Sequence, residues 1–139
     1  MALTVEPLLY PKLENSIIFW FRRDLRLDDN HGLYRALKES SSVVPIFIYD
    51  SDITDKIIDN DHRLKHIFNS VEKLNLDLKK LNKKIFTFKG KPREIFKSLI
   101  GNNKISKVFY NKDYEPYALK RVNSIKNLLI KKSIILVGF

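Results

Sequence analysis

Apolar residues in this chain gather into five short continuous runs, separated by stretches in which they recur at helical spacing. The runs are Ser16–Phe21 (SIIFWF), Val43–Tyr49 (VVPIFIY), Lys84–Phe88 (KIFTF), Lys107–Tyr110 (KVFY) and Ser133–Val137 (SIILV). Most of them do not alternate with polar residues, which suits strands covered on both faces, as in a parallel sheet. Asn30 or His31 opens a short helix through Ser40. The clearest helix is expected from Asp61 to Asn82. There Leu64, Ile67, Phe68, Val71, Leu74, Leu78 and Leu81 fall on one face at the helical period, and Asp61 caps the start. Pro92 and Pro116 read as first helical residues, the first helix reaching Ile100 with a stop at Gly101-Asn102, the second reaching about Lys131. Strands alternating with helices predict a three-layer, Rossmann-like, doubly wound α/β fold with five parallel strands. The expected strand order is 3-2-1-4-5. Residues 1–15 are expected to be an extended lead-in, and 16–139 one α/β domain.

At 139 residues the chain has room for one such domain. The absence of cysteine excludes a disulfide scaffold, a thiolate metal site and a cysteine nucleophile. The longest apolar run, Ile17–Phe21, is far short of the ~20 residues that span a bilayer. Met1–Asn15 lacks the apolar core of a secretory signal, so a cytoplasmic location is expected, with no membrane association. The formal net charge is +10, but lysines outnumber arginines 19 to 7 and no basic run exceeds two residues. The excess reads first as a solvated surface, with a contribution to binding a polyanion as the alternative.

An open parallel sheet binds ligands beyond the carboxyl ends of its strands, where strand order reverses. In the expected order that point lies between strands 1 and 4. Three polar segments converge on it: Arg22–Asn30, Asp50–Asp61 and Asn111–Glu115. No GxGxxG or Walker loop follows a strand, and four glycines leave little means to cradle a nucleotide phosphate in backbone. No GxSxG elbow is present. His62 and His66 are four apart with no evident third ligand, so no metal is expected. Arg22–Asn30 holds three arginines and three aspartates in nine residues. It reads either as a self-neutralised turn, with Asp24 and Asp28 ordering the arginines, or as a source of one arginine aimed at an anionic or planar conjugated ligand. Tyr110–Tyr117 offers three tyrosines and two carboxylates, as helix packing and capping or as a stacking wall for a flat heterocycle.

Phe19-Trp20-Phe21-Arg22-Arg23-Asp24-Leu25-Arg26-Leu27-Asp28-Asp29-Asn30 resembles the opening signature of the DNA photolyase and cryptochrome family. Val44–Asp50, Asp61-His62-Arg63, Lys89-Gly90-Lys91-Pro92 and Asn111-Lys112-Asp113-Tyr114-Glu115-Pro116-Tyr117 are similar to four further family motifs, in order, over about residues 16–138. The resemblance implies the N-terminal α/β domain of that family, which holds a light-harvesting antenna chromophore. A larger C-terminal helical domain, expected beyond this chain, holds FAD and meets UV-damaged DNA. The implied parent repairs pyrimidine dimers by light-driven electron transfer from FAD. This domain alone, a monomer, carries no catalytic residue. A cryptochrome-type photoreceptor and an unrelated nucleotide-binding α/β domain are the alternatives.

By resemblance to deazaflavin-binding members, Asp50, Arg63, Asp113 and Glu115 line the chromophore, with Arg22 and Tyr49 flanking the same crevice. Folate-binding members place Asn and Glu where this chain has Tyr117 and Ala118. The resemblance therefore puts 8-hydroxy-deazaflavin or a flavin ahead of methenyltetrahydrofolate. A family Arg-Asp pair is here Arg121-Val122, which puts an ion pair of that helix in question. Asp50 and Glu115 are expected in a solvated cleft, where substitution spares the fold. Phe19→Ala is expected to open a core cavity costing ~3–5 kcal/mol.

Overall fold

The computed structural model describes residues 16–54 and 62–139. The expected lead-in over 1–15 and the Asp61 cap lie outside the described residues. The elements run β1 (Ser16–Phe21), α1 (His31–Glu39), β2 (Val43–Asp50), α2 (Ser51–Thr54), α3 (His62–Lys79), β3 (Phe86–Gly90), α4 (Pro92–Asn102), β4 (Ile105–Tyr110), α5 (Pro116–Ile130) and β5 (Ile135–Gly138). All strand pairs are parallel and the sheet order is β3-β2-β1-β4-β5, as the sequence predicts.

The continuous apolar runs are explained by two cores, one on each face of the sheet. Ile17, Phe19 and Phe21 of β1 pack with Phe47, Tyr49, Leu33, Val71, Leu74 and Leu78 on the α1/α3 face. Ile18 and Trp20 pack with Ile46, Ile48, Phe96, Val108, Ile125 and Leu129 on the α4/α5 face. Successive strand side chains point to opposite faces, so a strand covered on both sides must be apolar at every position. Pro45 is tolerated inside β2 because β3 begins at Phe86, opposite Ile46, one residue beyond it. No described helix is long and apolar enough to cross a membrane.

Element ends depart from expectation for local reasons. β3 starts at Phe86 rather than Lys84, and the preceding Ile85 N–H is taken by Asn75 Oδ1 at 3.1 Å. Helix α3 stops at Lys79, leaving Leu81 exposed rather than on the buried face. Asn82 there adopts φ +57°, while Lys83 N–H reaches the Leu78 carbonyl and Asn82 N–H that of Lys79. This is a Schellman stop with a non-glycine residue in the left-handed position. Ser133 repeats it after α5 (φ +60°), which moves the start of β5 from Ser133 to Ile135. Gly101 does not end α4. The helix runs on to Asn102, and Asn103 closes it with both its backbone and side-chain N–H groups on the Leu99 carbonyl. A short helix, α2, occupies the start of the segment read as a polar loop after strand 2. Asn30 caps α1 as expected, accepting Leu33 N–H on Oδ1 at 3.1 Å.

Candidate functional site

The turns that leave β1 and β4 lie side by side on the carboxyl rim of the sheet. Asp24 does not order an arginine side chain. Its Oδ1 accepts the Arg22 backbone N–H at 2.8 Å and its Oδ2 accepts from Asn111 Nδ2. Asn30 Nδ2 donates to the Arg26 carbonyl at 2.9 Å, and Asp28 is exposed. Arg23 reaches across to the second turn and grips Glu115 with both terminal nitrogens, at 2.7 and 2.9 Å. Asp113 Oδ2 lies 3.8 Å from its Nε. The hydrogen bond from Arg23 to Glu115 raises the Arg23 pKa above its ordinary value, although both side chains are largely in water.

Arg22 has the opposite surroundings. It is 8% exposed, and none of its three guanidinium nitrogens has a hydrogen-bond partner among the described residues. Its guanidinium carbon sits 5.3 Å from the Trp20 ring and 5.7 Å from that of Tyr110, within cation–π range. Burial, and then the charge of Arg121, pull its pKa down. Tyr110 can lie beneath it because its partner in β5 is Gly138, where a Cβ would come within 2.7 Å of the tyrosine ring.

Asp50, at the end of β2, is equally buried, at 4% exposed, but fully engaged. Oδ1 accepts Asp52 N–H at 2.9 Å, and Oδ2 accepts from Arg121 at 3.0 Å and from the Tyr117 hydroxyl at 3.1 Å. The expectation of a solvated Asp50 is therefore corrected. It is a buried ion-pair member on the α4/α5 face. Burial, then the bond to Asp50, raise the Tyr117 pKa. Arg121 stacks on Trp20 at 5.4 Å, on the same indole as Arg22.

Three cavities surround these groups. A 480 Å³ cavity beside α3 is lined by Arg22, Arg26, Arg63 and His66 over Phe47 and Ile67. A 310 Å³ cavity over the two turns joins Arg22 to Asp113, Asn111 and Tyr114. Asp50 lines a third, of 240 Å³, with Tyr117 and Arg121. Of the six residues predicted from sequence, Arg22, Arg63 and Asp113 thus reach two adjoining cavities that share Arg22, and Glu115 braces them through Arg23. Tyr49 does not flank the crevice. It is 2% exposed, packed edge-on against Phe47 in the α1/α3 core, with its pKa pushed up to about 12 by burial and then by Glu72. The three tyrosines form no single wall, since Tyr110 is buried, Tyr117 turns to Asp50 and Tyr114 is 79% exposed. Sequence reasoning assigned no role to Asn111 or to the Arg121–Asp50 pair. The i, i+4 spacing of Tyr117 and Arg121 was the available signal for the second.

A family model described as DNA photolyase matches residues 17–139. The chain belongs to the DNA photolyase family. Its relatives include cryptochrome-2 of Gallus gallus, 32% identical over 111 residues, which cover 80% of this chain and 19% of that protein. Cryptochrome-1 of Aedes aegypti is 32% identical over 117 residues, covering 80% of this chain and 22% of that one. This photolyase-family chain therefore spans about a fifth of the length of the curated relatives it matches. Among solved structures, an archaeal photolyase from Sulfolobus tokodaii, determined with two FAD molecules, superposes with a TM-score of 0.78. It is 29% identical, and the match covers 89% of this chain and 29% of that one. A cryptochrome from Synechocystis superposes with a TM-score of 0.79 over 94% of this chain and 28% of its own, at 21% identity, which speaks for the fold.

Proposed function

We propose that this domain binds the antenna chromophore of a photolyase-family protein and feeds absorbed light to a helical domain of the same parent. The observation that carries the reading is Arg22, a buried guanidinium without a hydrogen-bond partner among the described residues, on the wall of a 480 Å³ cavity floored by Phe47 and Ile67. Burying an unpaired charge is costly, and sites that keep one generally reserve it for a partner of opposite charge. A flat, conjugated, anionic ligand fits both the cation and the apolar floor. Arg22 and Arg63 would hold its acceptor atoms, and Asp113 would face it from the second turn. The chromophore itself supplies light absorption and transfer of excitation energy. The two FAD molecules of the Sulfolobus photolyase, read there as implying a novel light-harvesting cofactor, favour a flavin or 8-hydroxy-deazaflavin over methenyltetrahydrofolate.

The same proposal assigns FAD, and contact with UV-damaged DNA, to the helical partner domain, and treats this domain as a cytoplasmic monomer. Photolyase repair of pyrimidine dimers is one use of such an antenna. The cryptochrome relatives favour a second, blue-light signalling. Titrating the chain with FMN, FAD, 8-hydroxy-5-deazaflavin and methenyltetrahydrofolate tests the first step. Quenched or shifted chromophore fluorescence with a flavin or deazaflavin is expected, and no binding by any of the four rejects the antenna role. Light-dependent repair of thymine dimers by the parent protein separates repair from signalling.

A further inference from the structure

Asn111 uses both N–H donors and the oxygen of its carboxamide, and its three bonds reach three points along the opposite turn and the start of α1. Oδ1 accepts the Gly32 N–H at 2.9 Å. Nδ2 donates to Asn30 Oδ1 at 2.7 Å and to Asp24 Oδ2. Asp24 in turn holds the Arg22 backbone N–H. The backbone is built around this group, since a Cβ on Gly32 would lie 2.7 Å from Asn111 Oδ1. Two residues further along the chain stands Asp113, which lines the turn cavity together with Arg22.

We infer that Asn111 is the positioning residue of the chromophore site, its carboxamide setting the distance and register between the turn that carries Arg22 and the turn that carries Asp113 and Glu115. The inference rests on the antenna reading for the identity of the ligand, but the link between the turns is independent of it. Only a side chain with two donors on one side and an acceptor on the other satisfies Asp24, Asn30 and Gly32 together. Aspartate has the same shape but places an oxygen against both the Asp24 carboxylate and Asn30 Oδ1, so the turns must separate. Changing Asp24 to asparagine in that background returns a donor to the first of these two broken bonds, not to the second, and leaves an acceptor for Arg22 N–H.

The test compares N111D, D24N and D24N/N111D with the unaltered chain, using FMN and 8-hydroxy-5-deazaflavin as probes and amide hydrogen exchange at Gly32 and Arg22 as a readout that needs no ligand. N111D is expected to weaken binding of the favoured probe by about tenfold or more and to speed exchange at Arg22. D24N/N111D is expected to recover part of both losses, since it restores the bond to position 24 and not the one to Asn30. Unchanged affinity and exchange in N111D, or a double variant as impaired as the two single changes combined, overturns the inference. If N111D does not fold, N111A takes its place, removing the link without adding a charge: faster exchange at Arg22 with weaker probe binding supports the inference, and unchanged values overturn it. If the unaltered chain binds neither probe, the antenna reading is what fails. The exchange pattern then decides alone: Arg22 protection lost in N111D and at least partly regained in the double variant supports the link, and any other pattern rejects it.

Discussion

Asp50 and Arg22 stand at neighbouring strand ends with almost the same burial and opposite fates. Asp50 is met by a backbone amide, a phenol and a guanidinium. Arg22 lies against the rings of Trp20 and Tyr110, and its guanidinium has no hydrogen-bond partner among the described residues. A buried charge with all its partners belongs to the scaffold, whereas one without a hydrogen-bond partner is, on the proposed reading, kept for a ligand. The contrast separates structure from function within a rim that looks uniformly polar in sequence.

The largest expected effect tests the Asp50 side. Asp50→Ala leaves the half-buried Arg121 without its carboxylate and should cost about 3 kcal/mol in urea unfolding, the low end for breaking a buried pair. Asp50→Leu combined with Arg121→Met should cost clearly less than Asp50→Ala. Equal costs would show that the pair is not coupled.

Tyr49 extends the contrast to the other face. Its pKa is raised to about 12 in the fold, above the ordinary value of 10.0. The neutral phenol is thus favoured when folded, and its contribution is complete below about pH 10 and lost as pH rises toward 12. About 2–3 kcal/mol of stability should disappear across that window, and Tyr49→Phe should flatten this part of the profile.

Arg22→Met should behave unlike either. Removing an unpartnered cation should leave stability within about 1 kcal/mol of unchanged, lost cation–π contacts offsetting relieved desolvation. Chromophore affinity should fall by about tenfold or more. A large loss of stability would make Arg22 a structural residue like Asp50. Smallest of all, Glu115→Ala removes a bidentate but solvent-exposed pair and should cost about 0.2–1 kcal/mol in thermal melts, shrinking further at high salt.

The five strands, their parallel class and the α1 cap were legible because each rests on a local or periodic signal: continuous β-branched runs, a 3.6-residue stripe, an asparagine before a helix. The strand order rests on no such signal, and the expected 3-2-1-4-5 matches the sheet. The stop at Ser133 was not legible, because a left-handed serine leaves no compositional mark; the helix expected to reach Asn82 ends at Lys79, with that asparagine in the left-handed turn beyond it. Within the site, the motifs picked out Arg22, Arg63 and Asp113, which line two adjoining cavities. They misplaced Tyr49 and Asp50 for one reason. Adjacent residues on a strand point to opposite faces, and a motif says nothing about which partners wait there. Arg121, eight residues from the nearest motif aspartate in sequence, meets Asp50 only through the packing of α5 against the end of β2.

Trp20 is the only tryptophan of the chain, and its ring has a guanidinium carbon at 5.3 Å from Arg22 and another at 5.4 Å from Arg121. The tryptophan emission of the protein therefore originates at a single indole with two guanidinium charges beside it. Whatever draws Arg22 toward a ligand alters their field, so the molecule carries its own unlabelled optical gauge of occupancy at the rim.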